Sequence, residues 1–363
     1  MTFRETYNGK TVLVTGHTGF KGGWLSLWLK QLGANVIGYS IPPTTKPSFY
    51  NTVKLHDIID KDIMGDVEDL SELSSVIHAY KPDFIFHLAA QPIVKESYIT
   101  PIETIRTNVM GTVNLLEAIR STNHKTTCVC ITSDKCYENK EWEYAYREND
   151  ALGGHDPYSA SKAAAELLIS AYRNSYFNTN NSLCSLSSAR AGNVIGGGDW
   201  SADRIVPDCI RSLSRNEVMQ VRSPNAIRPW QFVLDALSGY LLLASKMYKN
   251  PRKYSGAWNF GPYPENNINV ITLVDKIIAV WGEGESYTSE PVSEQHEATY
   301  LKLDSTKSIT QLGWRPLYGI DDAIGHTVEW YKNHHGGKLD MNNFSTYQIE
   351  SFKAQPLSSI EMK

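Results

Sequence analysis

What the 363-residue chain lacks narrows its function before any motif is read. It has no basic excess: 35 Lys and Arg against 39 Asp and Glu leave a net charge of −4, without the electrostatic footprint of a nucleic-acid binder. No apolar run approaches the length of a membrane span, and the opening MTFRETYNGK lacks the apolar core of a signal peptide. Cysteine is scarce. Cys128, Cys130, Cys136, Cys184 and Cys209 are odd in number and show no zinc-type pair spacing, so no metal and no disulfide framework is expected, and a cytoplasmic location is. Internal repeats and low-complexity stretches are absent. An apolar content of 41% and a charged content of 20% describe a soluble chain with room for two domains, or for one large α/β domain with a smaller lobe.

What is present is organised around Val12-Leu-Val-Thr-Gly16-His-Thr-Gly19-Phe-Lys-Gly22-Gly-Trp24. A β-branched run ends in three glycines, and apolar residues then recur at Leu25, Trp28, Leu29 and Leu32 with helical spacing. That is a strand, a tight turn and an amphipathic helix. Gly16 permits the turn, Gly19 lets backbone approach a pyrophosphate, and Gly22 lets the helix pack closely with its N-terminal amides aimed at the anion. The spacing is Gly-x-x-Gly-x-x-Gly, so the loop differs in shape from the Gly-x-Gly-x-x-Gly fingerprint while sharing its physics.

Asn35 to Tyr39 reads as a second strand, but Tyr39 and Ser40 stand where an acidic residue would hold an adenosine ribose. NAD and NADP are therefore not separated by this strand. A third short strand over Asp62 to Val67 contains Asp66, either an acceptor for an adenine amine or a turn-forming Asp. Asp69 to Tyr80 reads as a helix, and Asp83 to Leu88 as a buried strand ending in the small residues Ala89-Ala90 and in Gln91. Pro101 opens a long helical pattern through Arg120, with Asn108 as a structural hydrogen-bonding group in its apolar stripe. Thr126 to Ile131 is a buried strand by its β-branched content, and it delivers Thr132, Ser133, Asp134 and Lys135 to its carboxyl end, where open α/β sheets bind ligands. Tyr158 and Lys162 lie four residues apart on one face of the next helix, a spacing that lets the ammonium lower the pKa of the phenol. Ser188 to Gly198 ends a strand in a glycine-rich loop, followed by Asp199, Trp200 and Arg204. Phe232 to Ala244 returns to an apolar strand and helix; beyond it sheet and helix signals alternate, with Trp258 to Gly261, a helix near Ile271 to Trp281, the segment His296 to Asp304 and a helix near Asp321 to Tyr331.

With TGHTGFKG, HLAAQ, TNVMGT, TSDKCY, YSASK and ARAGNVIGGGDW in this order, residues 8 to 335 resemble an extended short-chain dehydrogenase/reductase of the nucleotide-sugar 4,6-dehydratase branch. The resemblance implies a doubly wound parallel α/β (Rossmann-type) sheet with a smaller C-terminal lobe. Residues 1–188 would bind NAD, with a return segment near 230–262. Residues 189–229 and 263–335 would form the substrate lobe, and 336–363 is a tail whose fold the sequence leaves open. In that family Tyr158, Lys162 and Ser133 act on the sugar C4 oxygen. Asp134 is then the acid for the departing C6 hydroxyl, and Lys135 either takes the C5 proton or stabilises the enolate. Asp134-Lys135 replaces the Asp-Glu of the dTDP-glucose branch and, with His17, Phe20 and Lys21 in the loop, matches the branch acting on CDP-glucose, which makes CDP-glucose the implied substrate and deoxysugar (O-antigen, lipopolysaccharide) biosynthesis the implied setting. No physical role for Lys21 is evident from the sequence.

The cofactor contacts implied are Gly16, His17, Gly19, Phe20, Gly22, Asp66, Val67, Leu88, Ala89, Ala90, Tyr158 and Lys162. The substrate contacts are Gln91, Arg190, Asn193, Arg204 and Arg228, whose guanidinium forks suit a diphosphate. The family also pairs the helices opening at Pro101 and Tyr158 with their copies, giving a homodimer or homotetramer, and Val109, Val113, Leu116 and Ile119 are candidates for that face. Two rivals stand beside this reading: a 4-epimerase or a GDP- or UDP-sugar dehydratase of the same fold, and a non-catalytic dinucleotide-binding sensor. An epimerase has no need of the Asp134 acid, nor a sensor of the Ser133, Tyr158 and Lys162 set.

Overall fold

The apolar run Thr11–Thr15 becomes the first strand, β1, because alternate side chains can be buried on both faces of a parallel sheet. The computed structural model describes residues 3–178, 182–221, 223–282, 288–289 and 300–354. Around β1 stand β2 (Asn35–Ser40), β3 (Lys61–Met64), β4 (Phe84–His87), β5 (Thr126–Ile131), β6 (Cys184–Ala191) and β7 (Ala257–Phe260), in the spatial order β3-β2-β1-β4-β5-β6-β7. Every neighbouring pair is parallel, with Thr15 opposite Tyr39 on one side and His87 on the other. The chain runs outward from β1 in one direction and resumes at β4 in the other. A crevice therefore opens at the carboxyl ends of β1 and β4, where ligands bind in such sheets.

The main helices are α1 (Phe20–Gln31), α2 (Leu70–Tyr80), α3 (Gly111–Arg120), α4 (Pro157–Tyr172), α5 (Ile205–Arg215), α6 (Val233–Lys249), α7 (Val270–Trp281), α8 (Ile320–Gly336) and α9 (Met341–Ala354). Local chemistry starts several of them. Asp69 accepts the Glu72 amide ahead of α2, Asp156 accepts the Ser159 amide with Pro157 in the first turn of α4, and Asn269 accepts the Thr272 amide ahead of α7. Such caps are each worth about 1 kcal/mol. Helices α1 and α6 cover one face of the sheet, with α8 and α9 in the same core, while α2, α3 and α4 cover the other.

Three sequence expectations need revision or completion. The long helix from Pro101 is continuous to Arg120 but passes through a π-helical turn at Arg106–Met110. Leu116 and Ile119 are fully buried against the protein's own sheet, so they cannot form an outward face; that face carries the exposed Ile102, Ile105 and Met110 with Leu167 of α4, and Val109 and Val113 are half-buried beside it. Of the tail, undefined from sequence, residues 341–354 form α9, whose Phe352 meets Trp28 edge to face at 5.7 Å and whose Ser345 accepts the Trp330 indole N–H at 2.9 Å, while 355–363 lie outside the described residues. In the segment His296 to Asp304, the first four residues lie outside the described residues; from Tyr300 the chain bridges to Ile227 and, through Leu303, to Tyr146.

The smaller lobe is built from α5, α7 and short ladders, including an antiparallel pair Ile227–Pro229 with Asn267–Asn269. Buried Asp235 on α6 holds the segment that leads into α8 by accepting the amides of Leu317 at 2.5 Å and Tyr318 at 3.3 Å. Strand β7 then closes the main sheet beside β6.

Candidate active site

A cavity of about 1280 Å³ lies over the carboxyl ends of β1, β4 and β5 and reaches into the lobe. Its floor is the glycine loop. Gly16 has φ +75°, and a Cβ there would stand 2.6 Å from the Ala89 nitrogen; a Cβ on Gly22 would stand 2.1 Å from the Gly16 carbonyl oxygen. Only glycine allows the loop to close this tightly under the first turn of α1. Gly19, Phe20, Asp66, Val67, Leu88, Ala89 and Ala90 all line the same cavity. Asp66 also closes a turn, accepting the Glu68 amide at 2.9 Å, so the turn-forming reading of that residue is realised whatever else it binds.

His17 does not line the cavity. Its fully buried ring fills the space left by Gly38, where a Cβ would come within 2.4 Å of it, and its Nε2 lies 2.6 Å from Asp62 Oδ1. Burial pushes its pKa down against the pull of Asp62. The structure thus makes His17 a packing residue that fixes the loop on β2.

Ser133, Asp134 and Lys135 leave β5 in a 3₁₀ turn at Asp134–Cys136, with the Ser133 oxygen accepting the Lys135 amide at 3.2 Å. The Ser133 hydroxyl donates to Asp134 Oδ1 at 2.9 Å. Burial raises the Asp134 pKa, opposed by Lys135, Ser133 and Arg228, which favours a carboxyl that carries a proton. Tyr158 and Lys162 face this turn from α4 and are both buried. Burial, and not the lysine, dominates the phenol. Burial pushes Tyr158 up to about 12, with Ser133 and Arg204 pulling the other way, and desolvation lowers Lys162 to about 8.

Among the substrate candidates, Asn193, Arg204 and Arg228 line the cavity. Arg204, at the start of α5, is held by Asp199 Oδ2 at 2.8 Å, and Arg228 donates to the Ile227 carbonyl at 3.0 Å. Gln91 also lines it, but its side chain is occupied on both ends, donating to Thr104 Oγ1 at 2.8 Å and accepting the Ile93 amide at 2.5 Å. Asn108 takes the structural role expected of it, accepting the Gln91 amide at 2.9 Å and donating to Ser161 Oγ at 2.9 Å. Arg190 is not brought to the cavity. It is 3% exposed beneath the sheet end and pairs with Glu166 at 2.7 Å, because a buried guanidinium takes the nearest buried carboxylate.

Sequence reasoning gave no role to Lys21. Its ammonium lines the cavity, and burial, reinforced by Arg204 and Lys162, lowers its pKa to about 7 against Asp134 and Asp199. The signal was local: a lysine in the first turn of a helix with no acidic residue there opposes the helix dipole, a cost that makes sense where an anion is expected.

The cavity fits a dinucleotide. Its glycine cradle leaves no room for a Cβ at Gly16 or Gly22, small residues follow β4, and a buried Asp134 Oδ2 meets no donor among the described residues. A glycine-rich loop opening into a tyrosine, lysine and serine set defines the short-chain dehydrogenase/reductase class, and within it the chain belongs to the family described as GDP-mannose 4,6 dehydratase, whose model matches residues 13–327. It is similar to a CDP-glucose 4,6-dehydratase from Salmonella typhimurium, 49% identical over 92% of this chain and 93% of that one. In fold it resembles a UDP-glucose 4-epimerase with UDP-glucose from Thermotoga maritima, with a TM-score of 0.77, 20% identity and coverage of 89% of this chain and 99% of that one. A dTDP-glucose 4,6-dehydratase from Bacillus anthracis in complex with NAD is similar with a TM-score of 0.72 and 21% identity, over 90% of this chain and 98% of that one. Among the described residues no helix is long and apolar enough to cross a membrane.

Proposed function

We propose that the protein is an NAD-dependent hydro-lyase converting CDP-glucose to CDP-4-keto-6-deoxyglucose. The observation that carries this reading is the Ser133-Asp134-Lys135 turn facing Tyr158 and Lys162, in a chain 49% identical to a CDP-glucose 4,6-dehydratase. Gly16, Gly19, Gly22, Phe20, Ala89 and Ala90 would hold the cofactor, and Arg204, Arg228 and Asn193 the nucleotide diphosphate. NAD would supply the hydride acceptor for C4 and the hydride donor for C6.

The chain's own groups move the protons. Tyr158 Oη takes the proton of the C4 hydroxyl, with Ser133 and the Lys162 ammonium stabilising the phenolate that burial alone disfavours. The C4 ketone acidifies C5–H, and Lys135 Nζ takes that proton or stabilises the enolate. Asp134, whose pKa burial raises, gives its proton to the C6 oxygen as water leaves, and C5 regains a proton as the hydride reaches C6, from Lys135 where that residue holds the one it took. The enzyme works in the cytoplasm as a homodimer or homotetramer built on the 101–120 and α4 helices, in deoxysugar biosynthesis.

Mass spectrometry of the protein with NAD and a panel of CDP-, dTDP-, GDP- and UDP-glucose tests this directly. Loss of one water from CDP-glucose alone is the expected result. Loss of water from another nucleotide sugar, or epimerisation without mass change, would replace the substrate or the reaction.

A further inference from the structure

Arg190 and Glu166 form a buried ion pair outside the cavity, and two of its further bonds reach the two ends of the catalytic turn. Glu166 sits one helical turn beyond Lys162 and is 2% exposed. Its Oε1 accepts the Thr132 hydroxyl at 2.5 Å, while Oε2 accepts Ser188 Oγ at 2.8 Å and Arg190 Nη2 at 2.7 Å. Arg190 Nη1 donates to Tyr137 Oη at 2.8 Å and to the Glu148 carbonyl at 3.1 Å. Tyr137 in turn donates to Asn259 Oδ1 at 2.7 Å. Thr132 immediately precedes Ser133, and Tyr137 follows Lys135 by two residues.

We propose that Glu166 and Arg190 are positioning residues that set the Ser133-Asp134-Lys135 turn against Tyr158 and Lys162. The inference rests on the function proposed above. Two arguments support it beyond the contacts. The turn's own backbone bonds are long, 3.4 Å for both Cys136 N to Ser133 O and Tyr137 N to Asp134 O, so bonds from outside the turn carry part of its geometry. Stability alone is a poor reason to bury such a pair, since apolar residues of the same volume generally serve as well or better. A pair that joins the helix of one catalytic motif to both ends of another supplies what hydrophobic packing cannot, a defined distance between acid, base and hydroxyl. An ångström of misplacement at such a site costs on the order of 100-fold in rate.

Thr132→Val and Tyr137→Phe each cut one tether and leave the ion pair in place. With Thr132→Val, kcat should fall about 10- to 100-fold while KM for CDP-glucose stays within about threefold, and Thr132→Ser should restore most of the rate. With Tyr137→Phe, which frees the far end of the turn, water loss should slow more than C4 oxidation, so that NADH absorbance builds up and C5 exchange in deuterated solvent declines. A lowered melting temperature with unchanged kcat, a change in KM alone, or a Thr132→Ser as slow as Thr132→Val would overturn the proposal. If Thr132→Val is too unstable to assay, Tyr137→Phe decides alone, and wild-type partitioning between oxidation and elimination in that variant overturns it. Wild-type protein that leaves CDP-glucose unchanged removes the function itself; a working wild type with unaffected variants removes only the role of the pair.

Discussion

The Ser133 hydroxyl donates to Asp134 Oδ1 at 2.9 Å, while Oδ2 of the same buried carboxyl meets no donor among the described residues. One oxygen thereby accepts the hydroxyl, and burial raises the pKa of the carboxyl against Lys135, Ser133 and Arg228. A Cβ on Gly192 would stand 3.1 Å from Oδ2, so a side chain there would crowd the acid.

Asp134→Asn preserves the acceptor for Ser133 and removes the acid. C4 oxidation should survive, and elimination should fall by about 100-fold or more, with NADH absorbance accumulating after CDP-glucose is added. Wild-type release of the 4-keto-6-deoxy product from this variant would transfer the acid role to another group.

Tyr158→Phe deletes only the ionisable hydroxyl of a side chain that is otherwise packed. Turnover should drop by several orders of magnitude, and NAD binding by fluorescence titration should stay nearly unchanged. A variant retaining more than about a tenth of wild-type activity would point to a different base for the C4 hydroxyl.

How much of this was legible depends on where the causes lie. The parallel strands were readable because β-branched runs such as Thr126 to Ile131 need no tertiary context to declare themselves. The glycine loop was readable because three glycines ahead of an amphipathic helix have few other uses. Arginine is different, since its guanidinium serves a phosphate or a buried carboxylate equally well. Nothing local told Arg190, which meets Glu166 twenty-four residues earlier in the chain, from Arg228. The same holds for Lys135 and Lys21: adjacency to the Ser133 motif drew attention to one, while only the folded chain places the other between Asp134, Asp199, Arg204 and Lys162. Tail helix α9 was illegible because its burial depends on Trp28 and Trp330, far away in sequence.

The exposed face of Ile102, Ile105, Met110 and Leu167 is the expected contact between subunits, since water-exposed isoleucines on adjacent helices gain free energy by covering one another. Ile102→Glu combined with Leu167→Glu should shift light scattering at micromolar concentration to the monomer mass. A wild-type protein that is already monomeric at that concentration, or a double variant that keeps its size, would remove this face as the interface.

Lys135→Met should leave C4 oxidation in place and abolish C5 exchange with deuterated solvent together with water loss. The distinguishing measurement is exchange in the NADH-accumulating state, because a lysine that only stabilises the enolate slows exchange without abolishing it. Wild-type exchange rates would pass the base role to Asp134 or to a residue of the smaller lobe.

Charge in the cavity should make ligand binding depend on pH in a defined direction. Burial pushes Lys21 down to about 7 and Lys162 down to about 8. Below about pH 6.5 both carry a proton and join Arg204 and Arg228 in a cationic cluster; as pH rises through these values the free protein loses two charges. A diphosphate favours the protonated lysines, so CDP binding near pH 8 should take up protons, and affinity should weaken about tenfold between pH 6.5 and pH 9. Titration calorimetry in buffers of different ionisation heat measures the uptake directly. Lys21→Met should bind CDP more weakly than wild type at pH 6.5, and the two affinities should converge towards pH 9, where the wild-type lysine is already largely neutral. A constant ratio of affinities across that range would show that the Lys21 charge does not reach the diphosphate.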